Sequence, residues 1–81
     1  MDRKIVQDII RTELERLLGT AVTFGDDEPL VDHGLDSLLS VELTLNLEDA
    51  FSITFEDDEL SFENFASVAA VTDLVQAKDP A

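Results

Sequence analysis

Apolar positions recur at three- and four-residue spacing in three separate stretches of the chain, and each stretch predicts a helix. In residues 4–18 the apolar set is Val6, Ile9/Ile10, Leu14 and Leu17/Leu18, with charged residues between them. Asp2 is placed to cap that helix and Gly19 to stop it. Residues 37–51 are less simple. Val41 to Glu48 alternates apolar and polar strictly, which is the strand template. Read as a helix, the same residues divide into two stripes. Leu39, Leu43, Leu47, Ala50 and Phe51 fall on one side, and Leu38, Val41 and Leu45 nearly opposite. The helix is favoured because Leu, Glu and Ala are good helix formers, because Asp36 or Ser37 can cap it, and because fifteen residues exceed the usual strand. A small domain cannot bury both stripes, so one is core and the other a contact surface. Residues 67–77 form the last predicted helix, with Ser67 as its cap, Val68, Val71, Leu74 and Val75 inside, and Pro80 beyond it.

The connections carry their own punctuation. Residues 19–36 hold Gly25, Pro29 and Gly34, and Phe24, Leu30, Val31 and Leu35 are expected to fasten them to the core. A connection this long in a compact domain is packed or functional. Residues 52–56 read as extended, and residues 57–60 as one short helical turn. The sum is an all-α fold, a small four-helix bundle of three main helices, one short helix and a long first loop. It fills residues 1–81 as a single domain, since 81 residues leave no room for a second.

Charge narrows the function. Nineteen Asp and Glu face five Lys and Arg, for a net charge of −14, and residues 17–77 contain no Lys or Arg at all. Salt bridges can relieve that middle section only where the ends fold back on it. The acid density disfavours nucleic acid and anionic membrane surfaces as partners, and suits docking to basic ones. A chain without Cys has no disulfide, thiolate nucleophile or cysteine zinc site, and His33 alone makes no His-rich metal centre. The acid runs at 26–28 and 56–59 do not follow the calcium-loop spacing. No apolar run is long enough for a signal peptide core or a membrane span, and position 2 is not Gly, so a cytoplasmic monomer is expected.

Candidate chemistry concentrates where the long loop meets the two-sided helix, at Gly34-Leu35-Asp36-Ser37-Leu38. The orphan N–H groups and dipole at a helix start favour an anion, so a phosphoester on Ser37 would sit in a favourable field. This segment resembles the G-x-D-S-L signature of the acyl carrier proteins. Val41-Glu42-Leu43, Leu47-Glu48-Asp49, Phe51 and Ser67-Val68-Ala69-Ala70-Val71 continue the resemblance over nearly the whole chain.

The resemblance implies a discrete carrier protein with no catalytic activity of its own. A phosphopantetheinyl transferase would attach 4′-phosphopantetheine from coenzyme A to Ser37, with Asp36 in the recognition signature. The arm would carry acyl intermediates as thioesters, in polyketide, nonribosomal peptide or fatty-acid-type synthesis. Leu38, Val41 and Leu45, ringed by Glu42, Glu48 and Asp49, would meet acyl- or aminoacyl-loading enzymes, synthases and transferases with basic docking patches. Leu39, Leu43, Leu47 and Phe51 would line the interior, and the five Phe residues are expected in the core. Leu39 stands where many fatty-acid carriers have an acid or small polar residue, which points to a specialised partner set. Two alternatives accompany this reading: a free-standing aminoacyl or peptidyl carrier, and an acidic adaptor that carries nothing. A serine hydrolase is disfavoured, because a catalytic Ser needs a positioned base and an oxyanion hole, and His33 is the sole imidazole.

Overall fold

The three periodic stretches become three α-helices in the computed structural model, which describes residues 2–78. Helix α1 spans Arg3–Leu18. The Asp2 carboxylate accepts the Lys4 N–H at 2.9 Å, and Gly19 ends the helix at φ +73°, a left-handed conformation that glycine adopts without strain. Helix α2 spans Ser37–Phe51, with Asp36 as its cap. Helix α3 spans Val68–Lys78, and the Ser67 hydroxyl oxygen accepts the Ala70 N–H at 3.1 Å. Pro80 lies outside the described residues. No strand occurs among the described residues, so α2 resolves the helix-or-strand ambiguity in favour of the helix.

Two 3₁₀ turns complete the architecture. The short fourth helix expected at 57–60 is one such turn, Asp57–Glu59, so the bundle has three α-helices among the described residues. The other, Leu30–His33, lies inside the long first loop. Gly34 closes it at φ +103°, and its N–H donates back to the carbonyls of Leu30 and Val31.

Helix α1 packs against both α2 and α3. Val6, Ile10 and Leu14 of α1, Leu43 and Leu47 of α2, and Val68, Val71 and Val75 of α3 are buried in one core. Phe55 and Phe65, from the connection after α2, meet edge to face with ring centroids 5.7 Å apart. Each of these buried side chains contributes roughly 1.5–3 kcal/mol, which is how a small domain offsets the entropy of ordering long loops.

The long loop is packed rather than loose. The Arg11 guanidinium donates to the carbonyls of Val22 and Phe24 and pairs with the Asp26 carboxylate. The Asp26 carbonyl accepts the Ala69 N–H at 2.9 Å, satisfying an orphan donor in the first turn of α3. Leu30 donates its N–H to Ala66 at 2.8 Å. Leu30 and Leu35 are buried as expected, but Val31 is half exposed and anchors nothing. Phe62 also departs from expectation: it is 71% exposed, whereas Phe55 and Phe65 are in the core.

Candidate functional site

The start of α2 is set by a short relay of backbone bonds. Leu35 is buried, and its N–H donates to the Leu30 carbonyl at 3.1 Å, so the chain enters the helix from a fixed point. Asp36 is extended, and its carboxylate accepts the Leu39 N–H at 2.8 Å. Its carbonyl accepts both the N–H and the hydroxyl of Ser40, at 2.9 and 2.8 Å. Asp36 is therefore the cap, and Ser37 is the first residue of the helix, with its hydroxyl exposed to solvent. A phosphate on that oxygen would meet the positive end of a fifteen-residue helix.

The two stripes of α2 separate as the periodicity predicts, except that Ala50, read with the inner set, is exposed at the last turn. Leu43 and Leu47 are completely buried, whereas Leu38, Val41 and Leu45 are 68, 58 and 59% exposed. Leu39 and Phe51 are half-buried against the core. Glu42 and Asp49 are exposed on the same helix. Glu48 differs from the rim position expected of it. It is half-buried: its carbonyl accepts the N–H groups of Ser52 and Ile53, and its Oε2 accepts the Phe55 N–H at 2.8 Å. Glu48 thus ties the end of α2 to the connection that follows.

An open groove of about 440 Å³ runs beside α2. Ser37, Val41 and Glu48 line it from the helix, and Leu60, Phe62 and Phe65 from the opposite wall. Val31, Leu60 and Phe62 add exposed apolar surface next to the Leu38–Val41–Leu45 stripe. Sequence periodicity could not mark these three, because none of them lies in an α-helix.

His33 is committed elsewhere. Its ring stacks on Phe24 with centroids 3.8 Å apart and planes 9° from parallel, and its Nε2 lies 3.1 Å from Glu28 Oε1. Glu28 Oε2 accepts the Gly25 N–H at 2.6 Å. That bond, followed by the one to His33, holds the Glu28 carboxyl below the usual carboxylate range. The imidazole organises the long loop four residues before Ser37.

An exposed hydroxyl on the first turn of a helix, beside an apolar face in an acidic surface, suits a protein that holds a phosphoester and offers it to partners. Comparison with known proteins decides the family: residues 8–75 match the phosphopantetheine attachment site. The chain belongs to this family. It is a phosphopantetheine-dependent carrier domain, in agreement with the acyl-carrier resemblance of its sequence. An aminoacyl carrier protein of Agrobacterium fabrum is 43% identical over 54 residues, which are 67% of this chain and 65% of that protein. The non-reducing polyketide synthase AC of Didymella fabae is 43% identical over 60 residues, or 72% of this chain and 2% of the synthase. The chain thus spans slightly less than two thirds of the first of these relatives and a small part of the second.

Solved structures give the same family. The carrier domain superposes with a TM-score of 0.81 and 39% identity on a chain from an engineered Bradyrhizobium japonicum glycine:[carrier protein] ligase complexed with carrier protein from Agrobacterium tumefaciens and ATP. That match covers 89% of this chain and 97% of the other. A chain from the Bradyrhizobium japonicum ligase complexed with glycylated carrier protein gives a TM-score of 0.79 at 30% identity, over 86% and 97% of the two chains. The prosthetic group of the family is 4′-phosphopantetheine. Ser37 is exposed and lines the open groove, which leaves space for such a group beside the core. No helix among the described residues is long and apolar enough to cross a membrane.

Proposed function

We propose that Ser37 carries 4′-phosphopantetheine and that this chain presents an aminoacyl group, delivered by an adenylating loading enzyme, to later partners. The observation that carries the reading is the exposed Ser37 hydroxyl on the first turn of α2, at the head of an exposed apolar stripe. The arm, when bound, supplies a terminal thiol that holds the cargo as a thioester. The chain's own residues do the rest. Asp36 fixes the helix start and so the direction of the Ser37 oxygen. Leu38, Val41 and Leu45 offer a small apolar contact, with Glu42 and Asp49 as charges beside it for a basic partner. Contacts of that kind form weak, short-lived, electrostatically steered complexes, which suit a shuttle. The chain catalyses nothing itself; its sole imidazole serves the loop.

Aminoacyl cargo is favoured over other acyl cargo by the likeness to the Agrobacterium aminoacyl carrier protein and to chains from the glycine ligase complexes. The match to a polyketide synthase supports a second reading, in which the cargo is an uncharged acyl group. The deciding experiment is intact mass after incubation with coenzyme A and a broad-specificity phosphopantetheinyl transferase. The expected result is a gain of one phosphopantetheinyl unit that Ser37→Ala abolishes. No gain in a folded sample, or a Ser37→Ala protein with full activity in its pathway, would replace the carrier with the adaptor. Loading of the arm-bearing protein by an amino-acid adenylating enzyme, and not by malonyl or acyl transferases, separates the two cargo readings.

A further inference from the structure

Ser37 shares one face of α2 with Val41, Thr44 and Glu48. At 3.6 residues per turn these three positions fall within about 40° of it, and Glu48 lies three turns on, roughly 16 Å along the helix. All four line the groove, whose opposite wall is Leu60, Phe62 and Phe65. The groove therefore runs from the attachment hydroxyl, between mostly apolar walls, to a carboxylate.

That carboxylate is poorly compensated. It sits in the last turn of α2, a turn with no basic residue, at the negative end of the helix dipole. It is half-buried, and its one side-chain bond is the neutral N–H of Phe55 at 2.8 Å. Among the described residues no cation pairs with it, and Lys78, the one cation after residue 16, is paired with Glu59. A carboxylate drawn partly out of water, beside apolar walls and at a helix C-terminus, gains from an incoming cation through both charge and hydrogen bonding. An uncharged acyl chain gains nothing from it.

We infer that the groove seats the cargo end of the chain's own arm when that cargo bears a free ammonium group, with Glu48 as its counter-charge. The ligand class is an α-aminoacyl group. Glu48 thus selects the charge state of the cargo, which is a different task from docking a partner. The inference rests on the reading of Ser37 as the attachment point.

The test uses arm-bearing protein in which glycine, or N-acetylglycine, is joined to the arm by an amide in place of the thioester. Intact mass and the Ser37→Ala control establish attachment before anything else is read. Amide chemical shifts in uniformly ¹⁵N-labelled protein then report the groove. The expected result is a set of shifts at Thr44, Leu45, Phe62 and Phe65 with the glycyl cargo. N-acetylation, which removes the ammonium charge, and Glu48→Gln should each abolish it. The Gln side-chain oxygen still accepts the Phe55 N–H, so Glu48→Gln keeps the local fold, and its unloaded spectrum serves as the check. Equal shifts with both cargoes, or unchanged shifts in Glu48→Gln, would overturn the role of Glu48. Attachment at Ser37 with a silent groove would overturn the inference and leave the carrier reading standing. Failure to attach at Ser37 would remove both.

Discussion

Asp36 and Ser37 are neighbours with similar chemistry and different tasks. Either could cap α2 on sequence grounds, since Ser and Asp rank together at that position. The structure assigns the cap to Asp36, whose carboxylate takes the Leu39 N–H, and this leaves the Ser37 hydroxyl without a structural duty. Asp36→Ala should therefore cost about 1 kcal/mol of stability in denaturant unfolding. Asp36→Asn, which still accepts that N–H, should cost little. Equal losses in the two variants would show that charge at the helix start, and not the cap bond, is what Asp36 provides. Gly34 illustrates a position whose type was legible and whose reason was not. It reads as loop punctuation, and the structure shows that it closes a 3₁₀ turn at a φ of +103°.

At the scale of elements, α2 was legible because its period separates two stripes, and the burial of Leu43 and Leu47 against the exposure of Leu38, Val41 and Leu45 agrees with that division, with Ala50 the exception. The 3₁₀ turns were less legible, since three- and four-residue elements have no period to read. The turn at Asp57–Glu59 is held by a long-range tie. Glu59 Oε1 accepts from Lys78 Nζ and from the Glu56 N–H, both at 2.7 Å. The Lys78 bond first, and the Glu56 N–H second, keep the Glu59 carboxyl below its ordinary value of 4.5. A carboxyl with a depressed folded pKa adds stability that is present above its unfolded value and lost as pH falls through the folded one. The difference in thermal midpoint between the wild type and Glu59→Gln should therefore be positive and constant above roughly pH 5. It should close as the pH drops below 4.5. Comparing the two proteins at each pH cancels the general relief of repulsion that acid brings to so acidic a chain. A difference that stays constant down through that window would mean the Lys78 tie is not electrostatic.

Over the whole molecule, the few cations are spent on holding the fold. Arg11 pairs with Asp26, Arg3 with Asp73 and Lys78 with Glu59, each joining segments distant in sequence. The ends do fold back on the acidic middle, but none of these pairs reaches the exposed face of α2. Glu42 and Asp49 are exposed there, and on the proposed carrier reading they act on a basic partner at long range, within the Debye length. Glu42→Lys should slow arm attachment by a phosphopantetheinyl transferase about five-fold at low ionic strength, equivalent to about 1 kcal/mol. The gap between variant and wild type should narrow as salt is added. Stopped-flow or discontinuous mass measurements at two salt concentrations would check this. A rate indifferent to both the reversal and the salt would exclude steering by this face.

Sequence by itself determined the helices and the charge distribution, because each depends on neighbours three or four residues away or on residue type alone, while the Gly34–Leu38 segment stood out through its resemblance to the carrier-protein signature. Periodicity divided α2 into two stripes, and the resemblance to carrier proteins named Leu38, Val41 and Leu45 as the outer one, which is the one left exposed. Tertiary structure alone decided how the loops are used. Val31 and Phe62 are as apolar as Leu30 and Phe65, yet they stay exposed beside Ser37 while their neighbours are buried. It also drew Glu48 out of the exposed rim, because the connection after α2 brings the Phe55 N–H to its carboxylate. Burial in a loop follows from where the chain crosses the core, and that path is set by contacts between residues far apart in sequence.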